Sequence, residues 1–495
     1  MHKKIMIQGT GSSVGKSLVT AGLCRIFYKD GYKVSPFKSQ NMALNSFVDE
    51  DGLELGRAQV VQAEMGGERP RAYMNPILLK PNADDHSQVI FMGKPCGNVT
   101  AVEYFSQTEK LRKVALEGYE KIRENYDICV LEGGGSPAEI NLREVDVVNM
   151  GMAELVDAPV VLVSDIERGG VFAQIYGTIM LLEKNDRDRI KGIIINKFRG
   201  NKDILDPGIE MIEKKLKEDG VDIPILGVLP FLDVKIEEED VLAKKLTAEK
   251  TKNDITISVI RTPKISNYTD FDVFEFYDDV ALNYVDSPED IGDEDMIIIP
   301  GSKNTIGDLI FIKETGIYKK IIEESQKGKL IFGICGGFQI LGNKIMDPLC
   351  IETPLGEEEG LGLLNVITTM GEEKATYQVE KKLINCKGIL TGLEGSTVKG
   401  YEIHQGQTEG KEEMFLDGEL YVGVYRENVM ATYLHGIFDN GLFTRHILNY
   451  LRRKKGLKEN ENIIDYEKVK NKEFDRWEEH LRKNLDIDKI YEILK

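Results

Sequence analysis

Two short stretches of the chain carry residues whose types and spacing could do chemistry. In Gly333-Ile334-Cys335-Gly336-Gly337 a cysteine stands among glycines where the apolar run KLIFGIC meets the helical pattern FQILGNKIM. Glycines on both sides permit a strained strand-to-helix turn that exposes the sulfur, and a helix N-terminus there favours thiolate over thiol. The second stretch is Gly9-Thr10-Gly11-Ser12-Ser13-Val14-Gly15-Lys16-Ser17, which follows the apolar run KKIMIQ and opens the helical LVTAGLCRIFYKD. Here the glycines, Gly11 and Gly15 among them, let backbone N–H groups curl around phosphate oxygens. Lys16 reaches the β/γ-phosphates of a nucleotide, and the Ser17 hydroxyl ligates Mg²⁺. The usual pattern has glycine where this chain has Thr10.

A thiolate that attacks an amide needs a base, and an acid to protonate departing ammonia; histidine suits both roles. The chain has six histidines. His435 closes the run VMATYLHG, at a strand end where it can point across a sheet. His404, in GYEIHQG, is the runner-up and a shaper of the pocket. Backbone donors for the tetrahedral intermediate are expected from Gly336, just after the cysteine, and from Gly301 in the turn Pro300-Gly301-Ser302-Lys303. On the phosphate side, the run DICVLE ends in Glu132 beside Gly133-Gly134-Gly135, and a carboxylate at that end of a parallel strand is placed to hold Mg²⁺. Lys38, after YKVSPF, is the candidate to steady a transferred phosphoryl group and bind ATP. Asp49, Asp51 and Glu54 are equal candidates for a second metal carboxylate.

The elements that must position these residues alternate in two series. Over residues 1–234, KKIMIQ, YKVSPF, YDICVLEG, PVVLVSDI, IKGIIINKF and PILGVLP alternate with amphipathic stretches, the pattern of a doubly wound, mostly parallel α/β sheet. Residues 235–253 are nearly all charged or small and read as an exposed connection. TISVIRTP, DMIIIPGS, KLIFGIC and VMATYLHG then build a second α/β domain over 254–450, and 451–495 reads as charged amphipathic helices docked on the body.

Composition narrows the function classes. The net charge of −19 repels nucleic acid and anionic lipid, so neither is expected as a partner. No apolar run approaches the ~18 residues of a membrane span, and the N-terminus does not read as a signal peptide, so a cytoplasmic protein is expected. Cysteines 24, 96, 129, 335, 350 and 386 lack metal or disulfide spacing, and all but Cys335 read as small buried hydrophobes.

The loop GTGSSVGKS resembles that of dethiobiotin synthetase and its relatives, which phosphorylate a carboxylate or carbamate. With PFKSQNMALNS, GRAQVVQA, NPILLKP, EGGGSPAEINL, SDIERGGVFAQ, NKFRG, PGSKNT, GICGGFQILG, GYEIHQG and LHGIFDN in order, the chain to about residue 450 resembles the glutamine-hydrolysing cobyric acid synthases. The resemblance implies a synthetase domain followed by a class I glutaminase domain, with ATP, Mg²⁺ and glutamine consumed. It implies amidation of the b, d, e and g carboxylates of the corrinoid adenosylcobyrinic acid a,c-diamide, with Cys335 as nucleophile and His435 as its base. Class I glutaminases often carry a glutamate two residues after that histidine; here Ile437 stands there, so the third member must come from elsewhere or be missing. The nearest alternative is cobyrinic acid a,c-diamide synthase, which QNMALNS and SPAEINL disfavour. A partition-type ATPase with an inactive glutaminase-like appendage is the alternative of another class.

Overall fold

The computed structural model describes residues 2–81, 86–237, 244–418 and 421–494. Residues 238–243 of the expected charged connection lie outside the described residues. Two compact units emerge. One comprises Met1–Ala43, Glu54–Ile236 and Lys470–Lys495; the other comprises Leu44–Leu53 and Glu237–Val469. This differs from the linear division expected along the chain. Leu44–Leu53 is spliced out of the first series into the second unit, and the tail is shared between the two.

The first unit is built on the six expected strands: β1 (Lys3–Gly9), β2 (Val34–Phe37), β3 (Ile128–Glu132), β4 (Val160–Asp165), β5 (Ile190–Phe198) and β6 (Ile225–Pro230). They pair in parallel in the order β6-β5-β4-β1-β3-β2. Near-continuous apolar strands are what a sheet covered on both faces requires. Alternate residues do feed two cores: Met6, Cys129, Leu131 and Leu162 on one face, Ile5, Ile7, Val130 and Val161 on the other. Helix α1 (Lys16–Lys29) and the tail cover the second face. The tail docks through Phe474, Trp477 and Leu481. Trp477 donates its indole N–H to Leu18 O at 2.8 Å, and a Cβ on Gly22 would lie 2.5 Å from Leu481. Helix α2 (Arg57–Met65) packs beside α1. A small sheet of Gln40–Met42, Ile77–Pro81, His86–Phe91 and Lys94–Thr100 completes the unit.

The second unit has a seven-stranded sheet. Its parallel part runs β8 (Val280–Val285), β7 (Ile255–Ile260), β9 (Met296–Ile299), β10 (Leu330–Ile334) and β15 (Val429–Thr432), with short β14 (Gly423–Arg426) and β13 (Glu413–Met414) added antiparallel. In a second sheet a long hairpin pairs β11 (Val366–Lys382) with β12 (Thr397–Gly410), and β12 also pairs with the two-residue β16 (Leu434–His435). That last pairing sets Tyr401 directly opposite His435.

The cysteine expectation holds only in part. Cys24 and Cys129 are buried, but Cys96 and Cys350 are exposed and Cys386 is half-buried. Cys96 lies on a strand exposed along most of its length, and Cys350 sits at φ 51° in a surface loop, so neither meets a core.

Candidate functional site

The phosphate loop leaves β1 and enters α1 through Gly15, at φ 99°, which serves as the helix N-cap. A Cβ there would lie 2.2 Å from Asn196 Nδ2, so the position demands glycine for space as well as for conformation. Thr10 is tolerated in place of the usual glycine because its backbone is not left-handed. Its N–H bonds Val163 O and its hydroxyl meets Ser164 Oγ at 2.9 Å, fastening the loop to β4.

Lys16 curls back over this loop, donating to Gly11 O at 2.8 Å and to Gly135 O at 2.9 Å. The glycine turn after β3 is therefore one wall of the same cradle. Burial lowers the Lys16 ammonium to about 8, with Glu132 pulling the other way and Lys38 adding repulsion. Glu132, fully buried, is the centre of the cluster. It accepts from Ser17 Oγ (2.7 Å), Lys38 Nζ (2.9 Å) and Gln62 Nε2 (2.5 Å). Burial alone would raise its pKa, but the Lys38 charge and these three bonds outweigh it and hold the carboxyl below its usual range. Gly11, Gly15, Lys16, Ser17, Lys38 and Glu132 thus converge. Gln62, on α2, joins them without having been expected. A glutamine inside an unremarkable helical run gives no signal until that helix is seen packed beside α1.

Two of the candidates for a second metal carboxylate have partners of their own. Asp49 caps its own turn, accepting from the N–H groups of Asp51 and Leu53, and belongs with Asp51 to the second unit. Glu54 is buried against Lys80 in an ion pair. Among the described residues no group of three or more His, Cys, Asp or Glu side chains forms a metal cluster. Ser17 and Glu132 nevertheless suit Mg²⁺, which takes few protein oxygens and completes its shell with water and phosphate.

In the second unit Cys335 sits at φ 51°, ψ −107°, between β10 and helix α4 (Gly336–Leu341). The glycines around it are dictated by packing against the Pro300–Ser302 turn. A Cβ on Gly337 would lie 1.9 Å from Ile299 O, and one on Gly336 would lie 2.8 Å from Ser302 N. Gly336 and the turn that carries Gly301 are therefore adjacent, and a Cβ on Gly301 would sit 3.4 Å from His435 Cε1. The turn is pinned by buried Asp308, which accepts from Ser302 Oγ (2.6 Å), Thr262 Oγ1 (2.7 Å) and Lys264 N (3.0 Å).

His435 is buried at the end of β16, and its Nδ1 lies 2.6 Å from Asp270 Oδ2. The other Asp270 oxygen accepts from Gly436 N at 3.1 Å. Asp270 thus occupies the position left open by Ile437, which is fully buried in the core. Burial opposes charge on the imidazole, but Asp270 and then Cys335 outweigh it, pushing His435 up to about 10. With Nδ1 engaged by the carboxylate, Nε2 is the nitrogen left for the thiol, and among the described residues it is buried with no partner at hydrogen-bond distance. Asp270 lies 165 residues before His435 in the chain, inside the aromatic-rich YTDFDVFEF, and nothing in that string singles it out as a partner for a histidine.

His404 is not part of this triad. Its Nδ1 meets Gly406 O at 2.8 Å, its ring stacks on Tyr433 with centroids 3.8 Å apart, and Nε2 turns toward Glu402. A carboxylate absent from the sequence expectations, Glu352, accepts from Thr305 N (2.7 Å) and Ile306 N (3.3 Å) at the start of helix α3 (Thr305–Glu314). Burial raises it to about 7, against the pull of Lys303. Thr305 Oγ1 lies within 3.4 Å of Glu352 and would meet a Cβ on Gly336 at 3.3 Å, so this acid borders the cysteine's turn.

Residues 5–241 match the CobQ/CobB/MinD/ParA nucleotide binding domain, and residues 256–443 match the CobB/CobQ-like glutamine amidotransferase domain. Across 506 residues the chain is 50% identical to a cobyric acid synthase of Alkaliphilus metalliredigens, covering 99% of each. It is 49% identical to a cobyric acid synthase of a Thermoanaerobacter species, over 100% of this chain and 99% of that one. It is also 49% identical to a cobyric acid synthase of Clostridium botulinum, over 99% of each. Similarity at that level through both domains leaves one conclusion: the chain belongs to the cobyric acid synthase family.

Proposed function

We propose that the chain uses ATP and glutamine to amidate the b, d, e and g carboxylates of adenosylcobyrinic acid a,c-diamide in the cytoplasm, with Cys335, His435 and Asp270 as the glutaminase triad. The observation that carries this reading is the 2.6 Å contact of Asp270 with His435 Nδ1, which supplies the third member in a chain that also holds a phosphate cradle.

The Cys335 thiolate attacks the glutamine side-chain carbonyl and forms a tetrahedral oxyanion beside the Gly336 and Gly301 backbone. His435 holds the thiol proton at Nε2 and gives it to the departing nitrogen, while Asp270 keeps Nδ1 protonated. Ammonia leaves and a thioester remains. Water then attacks the thioester carbonyl as the imidazole takes its proton, and the C–S bond breaks, releasing glutamate and restoring the Cys335 thiolate and the His435 imidazolium. Glu352, buried at the edge of this turn, is suited to the α-ammonium group of glutamine.

At the cradle, Gly11, Gly15 and Lys16 bind the nucleotide phosphates. Ser17 and Glu132 would hold Mg²⁺, which would supply charge neutralisation for the phosphates. Lys38, beside Glu132, steadies the phosphoryl group in transit. A carboxylate resists nucleophiles because of its own charge. Phosphorylation converts it to an acyl phosphate, which ammonia attacks with loss of phosphate.

The test is product mass and regiochemistry from adenosylcobyrinic acid a,c-diamide, ATP, Mg²⁺ and glutamine. New amides at b, d, e and g support the reading. Amides confined to a and c of the unamidated precursor would assign the chain to cobyrinic acid a,c-diamide synthesis instead.

A further inference from the structure

The segment Leu44–Leu53 has no part in the chemistry described above, yet it is built into the second unit. Three of its hydrogen-bonded groups and partners there meet at one side chain. Asn267 Oδ1 accepts the backbone N–H of Ser46 at 3.0 Å, and Asn267 Nδ2 donates to the Tyr401 hydroxyl at 3.2 Å. The Tyr401 hydroxyl in turn donates to Ser46 O at 3.2 Å. Ser46, Asn267 and Tyr401 thus form a closed ring of hydrogen bonds, with all three residues buried.

That ring surrounds the catalytic imidazole. Asn267 Nδ2 lies 3.5 Å from His435 Nδ1, and the Tyr401 phenol stacks on the imidazole at 5.1 Å and 17°. Phe47 sets its edge against the outer side of the same phenol at 4.9 Å and 61°. Val48 packs with Tyr401 and Ile403, and Ile403 O accepts from Cys335 Sγ at 3.5 Å. Asn267 also fixes the acid: it takes a left-handed turn, φ 52°, at the start of the helix that carries Asp270, whose N–H bonds Asn267 O at 3.0 Å. Asparagine is among the few residues that adopt this conformation readily.

We propose that Asn267 is a positioning residue for His435 and Asp270, held in place by Ser46 and Tyr401, so that Leu44–Leu53 is a working part of the glutaminase although its sequence falls within the nucleotide-binding half. The physical reason is orientation. Asp270 fixes the tautomer of His435, but one hydrogen bond does not by itself fix the tilt of the ring. Tyr401 fixes the plane, and Asn267 fixes both Tyr401 and the turn bearing the acid. A misplacement of about 1 Å at a reacting group lowers rates by about 100-fold.

The inference rests on the glutaminase reading, and its test is arranged to fail separately. In the full chain, Asn267→Gly removes the side chain while keeping the left-handed backbone accessible, and Tyr401→Phe removes the hydroxyl while keeping the stacked ring. Glutamate release is measured across pH, with iodoacetamide alkylation of Cys335 followed in parallel and thermal unfolding as the check on folding. Asn267→Gly is expected to lower kcat by about 10- to 100-fold with little change in KM, and to move the pH profile of alkylation. Tyr401→Phe is expected to do the same to a smaller degree. The double variant should lose less than the product of the two, because both open one ring. Asn267→Asp, which keeps the acceptor for Ser46, should recover part of the loss.

A folded Asn267→Gly protein with the wild-type kcat and alkylation profile would overturn the proposal, as would a loss confined to stability. If Asn267→Gly does not fold, Tyr401→Phe reports on the same ring, and a wild-type profile there overturns it too. Absence of glutamate release from the wild-type chain would instead sink the glutaminase reading itself.

Discussion

Asp270→Asn keeps the size of the side chain and removes its charge. The structure allows the loss to be sized. A rise of the His435 pKa from 6.5 to about 10 corresponds to about 5 kcal/mol in favour of the charged ring, net of a burial effect that opposes it. Asp270 leads the contributions that raise it, ahead of Cys335, so most of that preference disappears with the carboxylate charge. An asparagine also presents an N–H or a C=O to Nδ1 with nothing to select the working tautomer. Losing about 3 to 5 kcal/mol from the transition state lowers glutamine hydrolysis by about 100- to 5,000-fold. The assay is glutamate release at saturating glutamine, paired with the rate of Cys335 alkylation as a function of pH. The sign follows from the direction of the shift. A raised His435 stays charged below about 10, so in the wild type the imidazolium beside Cys335 persists through neutral pH. In the variant, burial disfavours the imidazolium. The sulfur then lacks a charged neighbour at neutral pH, and alkylation should slow there and follow a different pH profile. Wild-type turnover by Asp270→Asn, or alkylation profiles that superimpose, would refute the assignment of Asp270 as the third member.

Other outcomes follow from the same geometry. Lys16, lowered to about 8 by burial, is charged below that value and neutral above it, so nucleotide binding should take up a proton at alkaline pH and not in mildly acidic buffer; calorimetry in buffers of different ionisation enthalpy reads the uptake, and Lys16→Arg should abolish it. Gly337→Ala drives a Cβ into Ile299 O and should destabilise the second unit by about 3 kcal/mol or more, seen in thermal unfolding. Gly301→Ala meets Ser266 O and Oγ at 3.2 Å, so it should fold with a small shift of its turn and lose glutaminase kcat by misplacing the backbone proposed for the oxyanion. Trp477→Ala removes the indole buried on α1 and should cost the first unit about 3 to 5 kcal/mol, read by denaturant unfolding with and without nucleotide.

What the sequence disclosed and what it withheld divide along physical lines. Both parallel sheets were legible because their strands are buried on two faces and read as short apolar runs between amphipathic stretches. The phosphate loop and the cysteine turn were legible because each needs glycines at fixed offsets from one reactive residue, and His435 because it ends such a run. The hairpin of β11 and β12 was not read as strands. Residues such as Glu372, Glu373, Glu380 and Lys382 face solvent along much of β11, leaving little apolar alternation to detect. Asp270 and Gln62 were missed because their roles depend on contacts made across 165 and 70 residues of chain. The partners of Asp49 and Glu54 were hidden for the converse reason. A carboxylate near a phosphate loop in sequence is spent on a local turn in one case and on a buried lysine in the other.

The central claim is that nitrogen freed at Cys335 is consumed at a carboxylate activated in the same chain. It is tested most directly with glutamine carrying nitrogen-15 in its side-chain amide, with adenosylcobyrinic acid a,c-diamide, ATP and Mg²⁺, and mass spectrometry of the corrinoid. The account predicts heavy nitrogen in every new amide made by the wild type. It predicts none from glutamine in Cys335→Ala, which should still build the amides from labelled ammonium. Label reaching the corrinoid from glutamine through Cys335→Ala, or a wild-type product unchanged in mass, would contradict it.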